Sequence, residues 1–558
     1  MVGIISKEHR QRPIDLRLAP AARQREATRD ERPRAVADQV AYRCHFDRRT
    51  ARVGQRDVER RRQIGGRIDQ GSVEVEDDRA WPVHARRLAL PCWKMQGRCG
   101  TALHMAATPL PAPRPVAVVI LAAGQGTRMR SDLHKVLHPV AGRPMLLHLL
   151  ASVEALDPAH IVVVAGARRE QVEAAVAGRA TVALQAEQHG TAHAVRAAEA
   201  ALAGFDGDIL ILFGDAPLVE TATMRRLLAA LTPDVGVAVL GFRPPDPQAY
   251  GRIVADAAGT IARMVEYKDA SPAERAIDLC NAGALAARAA DLWPLLARVG
   301  NANAAGEYYL PDIVALAGRP GRVVETDASE VAGVNSRSEL AAVEAAWQVR
   351  RRAEMMAAGV TLVAPDTVWF AHDTVVGRDV TIEPNVVFGP GVRVADGAVI
   401  HAFSHLRGAT VGQHASVGPF ARLRPGTDLG AHAKVGNFVE IKAATIGAGA
   451  KVSHLTYLGD ATVGAEANIG AGTITCNYDG FFKYRTTIGA NAFIGSNSAL
   501  VAPVAIGDGA IVGAGSVVTA DVEPGALALA RGTQTVKPGW ATRFTAAMRA
   551  RKAGQQQT

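Results

Sequence analysis

The chain has 558 residues, 48% hydrophobic but only 5% aromatic, which allows roughly three or four domains whose cores rest on small aliphatic side chains. Its formal net charge is +9, yet residues 1–100 hold 23 Lys+Arg against 14 Asp+Glu, so that stretch carries the whole excess and the rest of the chain is neutral, which argues against a nucleic-acid-binding body. No apolar run of about 18 residues marks a membrane span, no long apolar segment opens the chain as a secretory signal would, and the five cysteines (Cys44, Cys92, Cys99, Cys280, Cys476) form neither a zinc spacing nor a disulfide framework, so no membrane partner is expected and a reducing cytoplasm is the simplest location.

Residues 1–112 are rich in arginine, with the cluster Arg60-Arg61-Arg62, no sustained period, and a loose end at TPLPAPRP. A disordered basic arm touching nucleic acid, a small folded domain, and a stretch that is not native protein all fit. The last is favoured, because Met105 offers a second start just before the first strong strand. Translation from too far upstream in a GC-rich gene gives such Arg- and Ala-rich text.

From residue 113 the text changes. VAVVILAAG (116–124), HIVVVAGA (160–167), DILILFGD (208–215) and VGVAVLGF (235–242) are continuous apolar runs of the kind buried parallel strands show. Ala/Leu/Glu/Arg-rich stretches between them read as helices. The alternation predicts a doubly wound, Rossmann-like α/β domain over 113–340, joined by a linker helix over 341–360 to a region of quite different pattern. After the first strand comes Gly124-Gln125-Gly126-Thr127-Arg128, with Lys135 a few residues on. A Gly-rich turn there lets backbone N–H groups close on a phosphate, and Arg128 and Lys135 add positive charge. Met129 stands where a dinucleotide fingerprint would have its third glycine, and no acidic residue stands at the expected distance beyond it.

Between Val376 and Val518 an aliphatic residue recurs every six positions, through Ile382, Phe388, Val394, Ile400 and Leu406 to Ile506, Val512 and Val518, with five-residue steps at Val411, Ile446 and Val463. A period of six fits neither an amphipathic helix nor an alternating strand. It fits a solenoid in which each hexad is one short strand and a turn, three hexads close a coil, and Gly or Asn permits the bend. This all-β parallel β-helix is expected over 361–541, with a flexible basic tail over 542–558. The pattern lapses in TITCNYDGFFKYRTT, between Ile469 and Ile488, a loop suited to binding.

LAAGQGTRM and SDLHKVLHPVAGRPM are similar to the signature of sugar-phosphate nucleotidyltransferases. With QAEQHGTAHA (185–194), FGDAPL (213–218), YGRIV (250–254), VEYKDA (265–270), CNAG (280–283), GVNSR (333–337), and then RLRPG, VGNFVEIK, HLTYLGD, NIGAGTITCNYDG and IGSNSALVAPV in the hexads, the chain resembles the bifunctional N-acetylglucosamine-1-phosphate uridyltransferase/glucosamine-1-phosphate N-acetyltransferase family over about residues 115–540. Phe213 and Ala282 depart from the family's usual Tyr and Thr without changing a charge.

The resemblance implies a left-handed β-helix, assembly as a homotrimer, two activities, and substrates UTP and acetyl-CoA with Mg2+. It assigns the nucleotide and sugar to Leu121, Ala122, Ala123, Gly124, Lys135, Gln185, Gly190, Thr191, Phe213, Gly214, Asp215, Gly251, Glu266, Asn281 and Asn335, with Arg128 and Lys135 on phosphates and Asp215 and Asn335 on the metal. On the residues alone, Asp215 also reads as a helix cap, Asn335 as a turn former and Glu266 as a solvated ion pair. For acetyl transfer it implies His454 as general base, since an ammonium must lose a proton before attacking a thioester. Glu440 would orient the imidazole, Arg424, Lys442, Tyr457, Asn468, Asn477, Tyr478 and Lys483 would hold the sugar phosphate, and Ala471, Ser496, Ala514 and Arg531 the acetyl-CoA. A charged solenoid face explains Arg424 and Lys442 equally well on sequence alone. A single-function nucleotidyltransferase whose β-helix serves assembly or regulation is the alternative.

Overall fold

The computed structural model describes residues 114–247 and 249–555; the expectations for residues 1–112 lie outside them. The first part is built on a nine-stranded sheet. Its strands are β1 (Val116–Ala122), β2 (His160–Ala165), β3 (Thr181–Leu184), β4 (Asp208–Phe213), β5 (Val237–Phe242), β6 (Arg252–Ala255), β7 (Thr260–Val265), β8 (Cys280–Arg288) and β9 (Gly321–Thr326). They lie in the order β3-β2-β1-β4-β8-β5-β9-β7-β6.

β1 runs parallel to both β2 and β4, as continuous apolar strands buried on two faces should. The faces alternate along β1: Ala117, Val119 and Leu121 join one core, and Val118, Ile120 and Ala122 the other. Helices Thr191–Arg196 and Ala289–Arg298 cover the first face, and Met145–Glu154, Arg169–Val176 and Thr221–Ala229 the second. Two strands depart from a purely parallel doubly wound sheet: β7 is antiparallel to its neighbours β9 and β6, and β8 is the other. β8 is inserted antiparallel between β4 and β5. Its apolar composition satisfies the same two-faced burial whichever way it runs.

The linker helix spans Arg337–Ala357, a few residues earlier at each end than expected. Ser336 caps it by accepting from the Glu339 N–H. Gly359, at φ 95°, turns the chain out of it. The helix holds both halves. Glu344 accepts the Ala141 N–H at 2.6 Å. The buried Gln348 side chain donates to the Phe370 carbonyl at 2.8 Å and accepts the Phe370 N–H at 2.9 Å.

From Thr361 the chain winds into three parallel sheets of ten, eight and eight short strands. Each strand pairs with the one three elements later, so Ile382, Ile400, Val417, Val435, Val452, Ile469, Ile494 and Val512 stack in one column. Coils take 17 or 18 residues, which absorbs the five-residue steps. The coil from Ile469 to Ile494 carries the extra loop. There the aliphatic slot beneath Leu458 is taken by Thr475, whose hydroxyl is buried between the Gly459 N–H (2.8 Å) and carbonyl (3.1 Å).

Two expectations are corrected. The bends are not confined to Gly and Asn: Phe403, Phe420, Phe438 and Leu455 sit at φ 50–60° on one corner. Such a conformation costs roughly 1–2 kcal/mol per residue, and the stacked rings of Phe403, Phe420 and Phe438, 4.9 and 5.1 Å apart, offset part of that. The tail expected over 542–558 is helical instead, over Trp540–Gln555, with Trp540 and Phe544 stacked one turn apart.

Candidate active sites

The Gly-rich turn leaves the C-terminal end of β1, where an open α/β sheet places its ligands. Gly126 adopts φ 63°, and a side chain there would strike Lys135 at 2.6 Å. The turn is therefore tight because Lys135 passes behind it. Leu121, Ala122, Ala123, Gly124, Lys135, Gln185, Gly190, Thr191, Phe213 and Asp215 line one cavity of about 310 Å³. Gly251, Glu266, Asn281 and Asn335 line a second of about 330 Å³. Thr191, Phe213 and Asp215 border both, so the two cavities are parts of one cleft. Gly190, at φ 116°, leaves no room for a side chain against the Tyr308 backbone.

Gly214 does not line the cleft; its N–H donates to the Leu121 carbonyl at 2.9 Å and so joins the two strand ends. Arg128 stays exposed on the turn and lines neither cavity. Gln188, Glu307 and Tyr250 also line the cleft, although the sequence reading assigned them no role. Gln188 lies within the QAEQHGTAHA motif and donates to the Ala123 carbonyl. Glu307 and Tyr250 carry no spacing signal.

At the centre of the cleft Lys135 Nζ lies 2.5 Å from Asp215 Oδ2 and 3.0 Å from Asn335 Oδ1. The Val334 N–H donates to the Asp215 carbonyl at 3.0 Å, which brings the 333–335 turn alongside. Two hard oxygens thus converge on one point, held here by an ammonium. A carboxylate and an amide oxygen, with water and substrate phosphate completing the shell, are a donor set that suits Mg2+. Among the described residues no group of three or more His, Cys, Asp or Glu could hold a metal, so a cation here draws most of its ligands from elsewhere. In the second cavity, burial pushes Glu266 above the usual carboxylate range, and the like charges of Asp312, Asp269 and Glu307 add to it.

In the β-helix, Arg424, Glu440, Lys442, Tyr457 and Asn477 come together on one sheet. Glu440 accepts from Arg424 at 2.8 Å and lies 3.5 Å from Arg422. Lys442 lies 3.4 Å from Asp460, which also accepts from Asn477 at 2.5 Å. Gly459 is the gap that lets the Tyr457 hydroxyl and the Asn477 amide approach each other. Glu440 does not orient His454. The imidazole Nδ1 is bonded to Asn437 Oδ1 at 2.5 Å, one coil above.

The pairing register places Ala471, Ser496 and Ala514 directly under His454, one per coil, and Arg531 donates to the Ala514 carbonyl at 2.8 Å. Coils are about 4.8 Å apart, so this column gives a straight track of roughly 15 Å leading to the imidazole. Asn468 lies on the same sheet as His454, one coil on and level with Lys451. Tyr478 and Lys483 pair with each other across the inserted loop.

Residues 118–277 match the model of the MobA-like NTP transferase domain. Residues 373–408 match the bacterial transferase hexapeptide (six repeats), and residues 485–520 the hexapeptide repeat of succinyl-transferase. The "Bifunctional protein GlmU" of Sphingopyxis alaskensis is 64% identical over 447 residues, 79% of this chain and 99% of that protein. The proteins of that name from Rhizorhabdus wittichii (66% over 448 residues, 79% and 99%) and Zymomonas mobilis subsp. mobilis (58% over 441, 78% and 98%) are similar over nearly the same span. The chain belongs to the GlmU family of bifunctional proteins. The family's two parts correspond to the two folded parts here, the transferase match falling on the nine-stranded sheet and the hexapeptide matches on the coils. No helix among the described residues is long and apolar enough to cross a membrane.

Proposed function

We propose that the chain is a bifunctional enzyme of UDP-N-acetylglucosamine synthesis, with two sites on separate folds. The β-helix acetylates glucosamine 1-phosphate from acetyl-CoA. The α/β domain then transfers UMP from UTP to N-acetylglucosamine 1-phosphate and releases pyrophosphate. The observation that carries this reading is that both constellations occur in one chain, the Lys135–Asp215–Asn335 cleft and the His454 column. The rival in which the β-helix only mediates assembly gives no reason for a histidine at the head of a track of small residues.

In the cleft, the sugar phosphate attacks the α-phosphorus of UTP. A phosphate is already a nucleophile at neutral pH, so alignment and charge neutralisation matter more than a base. Lys135 lies within reach of the triphosphate. Gln185, Gly190 and Thr191 border the nucleotide part, and Gly251, Glu266 and Asn281 the sugar part. Asp215 and Asn335 would hold magnesium, which would supply positive charge against the phosphates. Arg128 reaches the phosphates only if its exposed turn closes over them.

At the β-helix, His454 Nε2 takes the proton from the glucosamine nitrogen as it attacks the thioester carbonyl. A C–N bond forms, the C–S bond breaks, and the proton passes to the departing CoA thiolate. Arg424, Lys442, Tyr457, Asn468, Asn477, Tyr478 and Lys483 would hold the sugar phosphate. Ala471, Ser496 and Ala514 leave room for the acyl carrier, and Arg531 pairs with one of its phosphates.

We assign uridylyl transfer to residues 113–340 and acetyl transfer to 361–541, and place the protein in the cytoplasm as a homotrimer. The exposed stripe of Phe403, Phe420, Phe438 and Leu455 beside His454 is the surface that a second copy would cover. A chain starting at Met105 should keep both activities and melt near the full chain's temperature, since about 79% of the chain accounts for 99% of the Sphingopyxis relative. Purified protein should release pyrophosphate with UTP and free CoA with acetyl-CoA. His454→Ala should lose the second activity by at least about a hundredfold and keep the first. Retained CoA release in that variant, with an unchanged pH profile, would refute the base assignment.

A further inference from the structure

We infer that Asn437 is a positioning residue for acetyl transfer, fixing which nitrogen of His454 is free to take the proton. The inference rests on the reading of His454 as the base. Asn437 and His454 are register partners in adjacent strands, and the Asn437 oxygen lies 2.5 Å from the imidazole Nδ1. An amide oxygen can only accept, so Nδ1 must carry the hydrogen and donate it. In a neutral imidazole the other nitrogen, Nε2, then holds the lone pair. That is the tautomer a base needs if Nε2 faces the substrate.

The surroundings favour this role for Asn437 over a carboxylate. Glu440, the nearest acid along that chain segment, is held by Arg424 and Arg422. Asp460 is held by Lys442 and Asn477. Both acids are thereby kept off the imidazole. A neutral partner orients the ring without stabilising imidazolium, so the base releases its proton readily to the leaving thiolate. The backbone reinforces the placement. The Leu455 N–H donates to the Asn437 carbonyl at 3.0 Å, and the Thr456 hydroxyl donates to the His454 carbonyl at 2.7 Å. The two residues are therefore held level by the main chain, and the side-chain bond decides only the ring's orientation and tautomer.

The test compares Asn437→Ala and Asn437→Asp with the parent and with His454→Ala, following CoA release across pH, with pyrophosphate release and the melting temperature as controls. Asn437→Ala should lower kcat for acetyl transfer about ten- to a hundredfold, the scale seen when a partner that orients a metal-bound histidine is removed, with KM for glucosamine 1-phosphate within about twofold. Asn437→Asp keeps an acceptor and should restore most of the rate at alkaline pH. The carboxylate favours imidazolium, so the acid limb of its profile should move up by about one pH unit. Uridylyl transfer and melting temperature should hold in both. An Asn437→Asp profile that overlays the parent's, or a loss in Asn437→Ala that appears only in KM or alongside a fall in melting temperature, overturns the inference while leaving His454 as base. Full acetyl transfer in His454→Ala overturns the reading beneath it and the inference together.

Discussion

The ammonium of Lys135 is bonded at 2.5 Å to the carboxylate of Asp215, 80 residues further along the chain. Lys135 arrives from behind the Gly-rich turn after β1, and Asp215 from the end of the neighbouring parallel strand β4. The sheet thus brings a cation from the Gly-rich turn against the anion proposed to hold the metal. With Asn335 at 3.0 Å on the same nitrogen, the three side chains form one unit whose charge is balanced before substrate enters. Lys135 is free to turn toward phosphate once another cation takes up these two oxygens.

This makes Asp215 the position where the two activities separate most cleanly. Asp215→Asn keeps the shape and an oxygen acceptor for Lys135, so the fold should hold. Pyrophosphate release should fall at least about a hundredfold, and its dependence on added Mg2+ should weaken. CoA release should match the parent. Unchanged magnesium dependence would remove Asp215 from the metal site.

Glu266 gives the cleft a pH signature. Its carboxyl is raised by burial and by Asp312, Asp269 and Glu307, so it takes up a proton at higher pH than an ordinary glutamate. Protonation removes an acceptor for sugar hydroxyls. KM for N-acetylglucosamine 1-phosphate should therefore rise as pH falls, beginning at higher pH than an ordinary glutamate would cause, and Glu266→Gln should show a flat, higher KM. The linkage has the matching sign. A raised carboxyl contributes stability below its unfolded value that is lost as pH rises through the folded one. Glu266→Gln should accordingly melt at or above the parent's temperature at pH 8, with the advantage shrinking near pH 4.

His148 acts in the opposite sense. It sits where the α/β domain meets the linker helix and the first coil, its ring centroid 6.2 Å from that of Trp347 and 6.1 Å from that of His372, with Nε2 donating to the Val140 carbonyl at 2.8 Å. Burial pushes it down to about 4, with Arg143 and His372 adding to the effect. A depressed histidine contributes stability that is present above its unfolded value near 6.5 and is lost as pH falls toward the folded one. The shift corresponds to roughly 3 kcal/mol at most. The parent should therefore lose melting temperature between pH 6.5 and about 4 more steeply than His148→Gln, which keeps a donor for Val140. Parallel curves would show that the junction does not sense this proton.

How far the sequence reached depends on what each feature writes into the text. The coils were legible because every aliphatic side chain sits at a fixed phase of a 17- or 18-residue turn, so Ile382, Ile400 and Val417 announce their own stacking. Thr475 was invisible because a buried hydroxyl bonded to Gly459 fills an aliphatic slot just as well. The Phe403 and Phe420 corners were missed because ring stacking offsets a backbone strain that a propensity argument treats as disqualifying. β8 itself was not read as a strand, because its sequence CNAGALAAR holds few large apolar residues and no continuous run of them. In the cleft, Gly124 and Asp215, each on a turn after a strand, line one cavity. The Asn437–His454 bond was not anticipated, because it joins residues 17 apart that only the coil register makes neighbours.

Gly459 shows how little space the acetyl site spares. It is buried in the strand Tyr457–Gly459, and a methyl group there would collide with the Tyr457 hydroxyl and lie 2.8 Å from the Asn477 amide nitrogen. Both neighbours are polar ends that bear on the proposed sugar-phosphate site, and Asn477 also holds Asp460, which in turn faces Lys442. Gly459→Ala should therefore push Tyr457 and Asn477 apart and disturb the Lys442–Asp460 pair, while the Thr475 hydroxyl still bonds the local backbone and keeps the coil closed. A displacement of this size should lower kcat/KM for glucosamine 1-phosphate by about a hundredfold. KM for acetyl-CoA should change little, since the column beneath His454 lies on a different corner. Pyrophosphate release should be untouched, because no part of that cleft contacts this strand. If both half-reactions fell together with the melting temperature, the change would have damaged the coil and not the pocket, and Gly459 would be a packing residue alone.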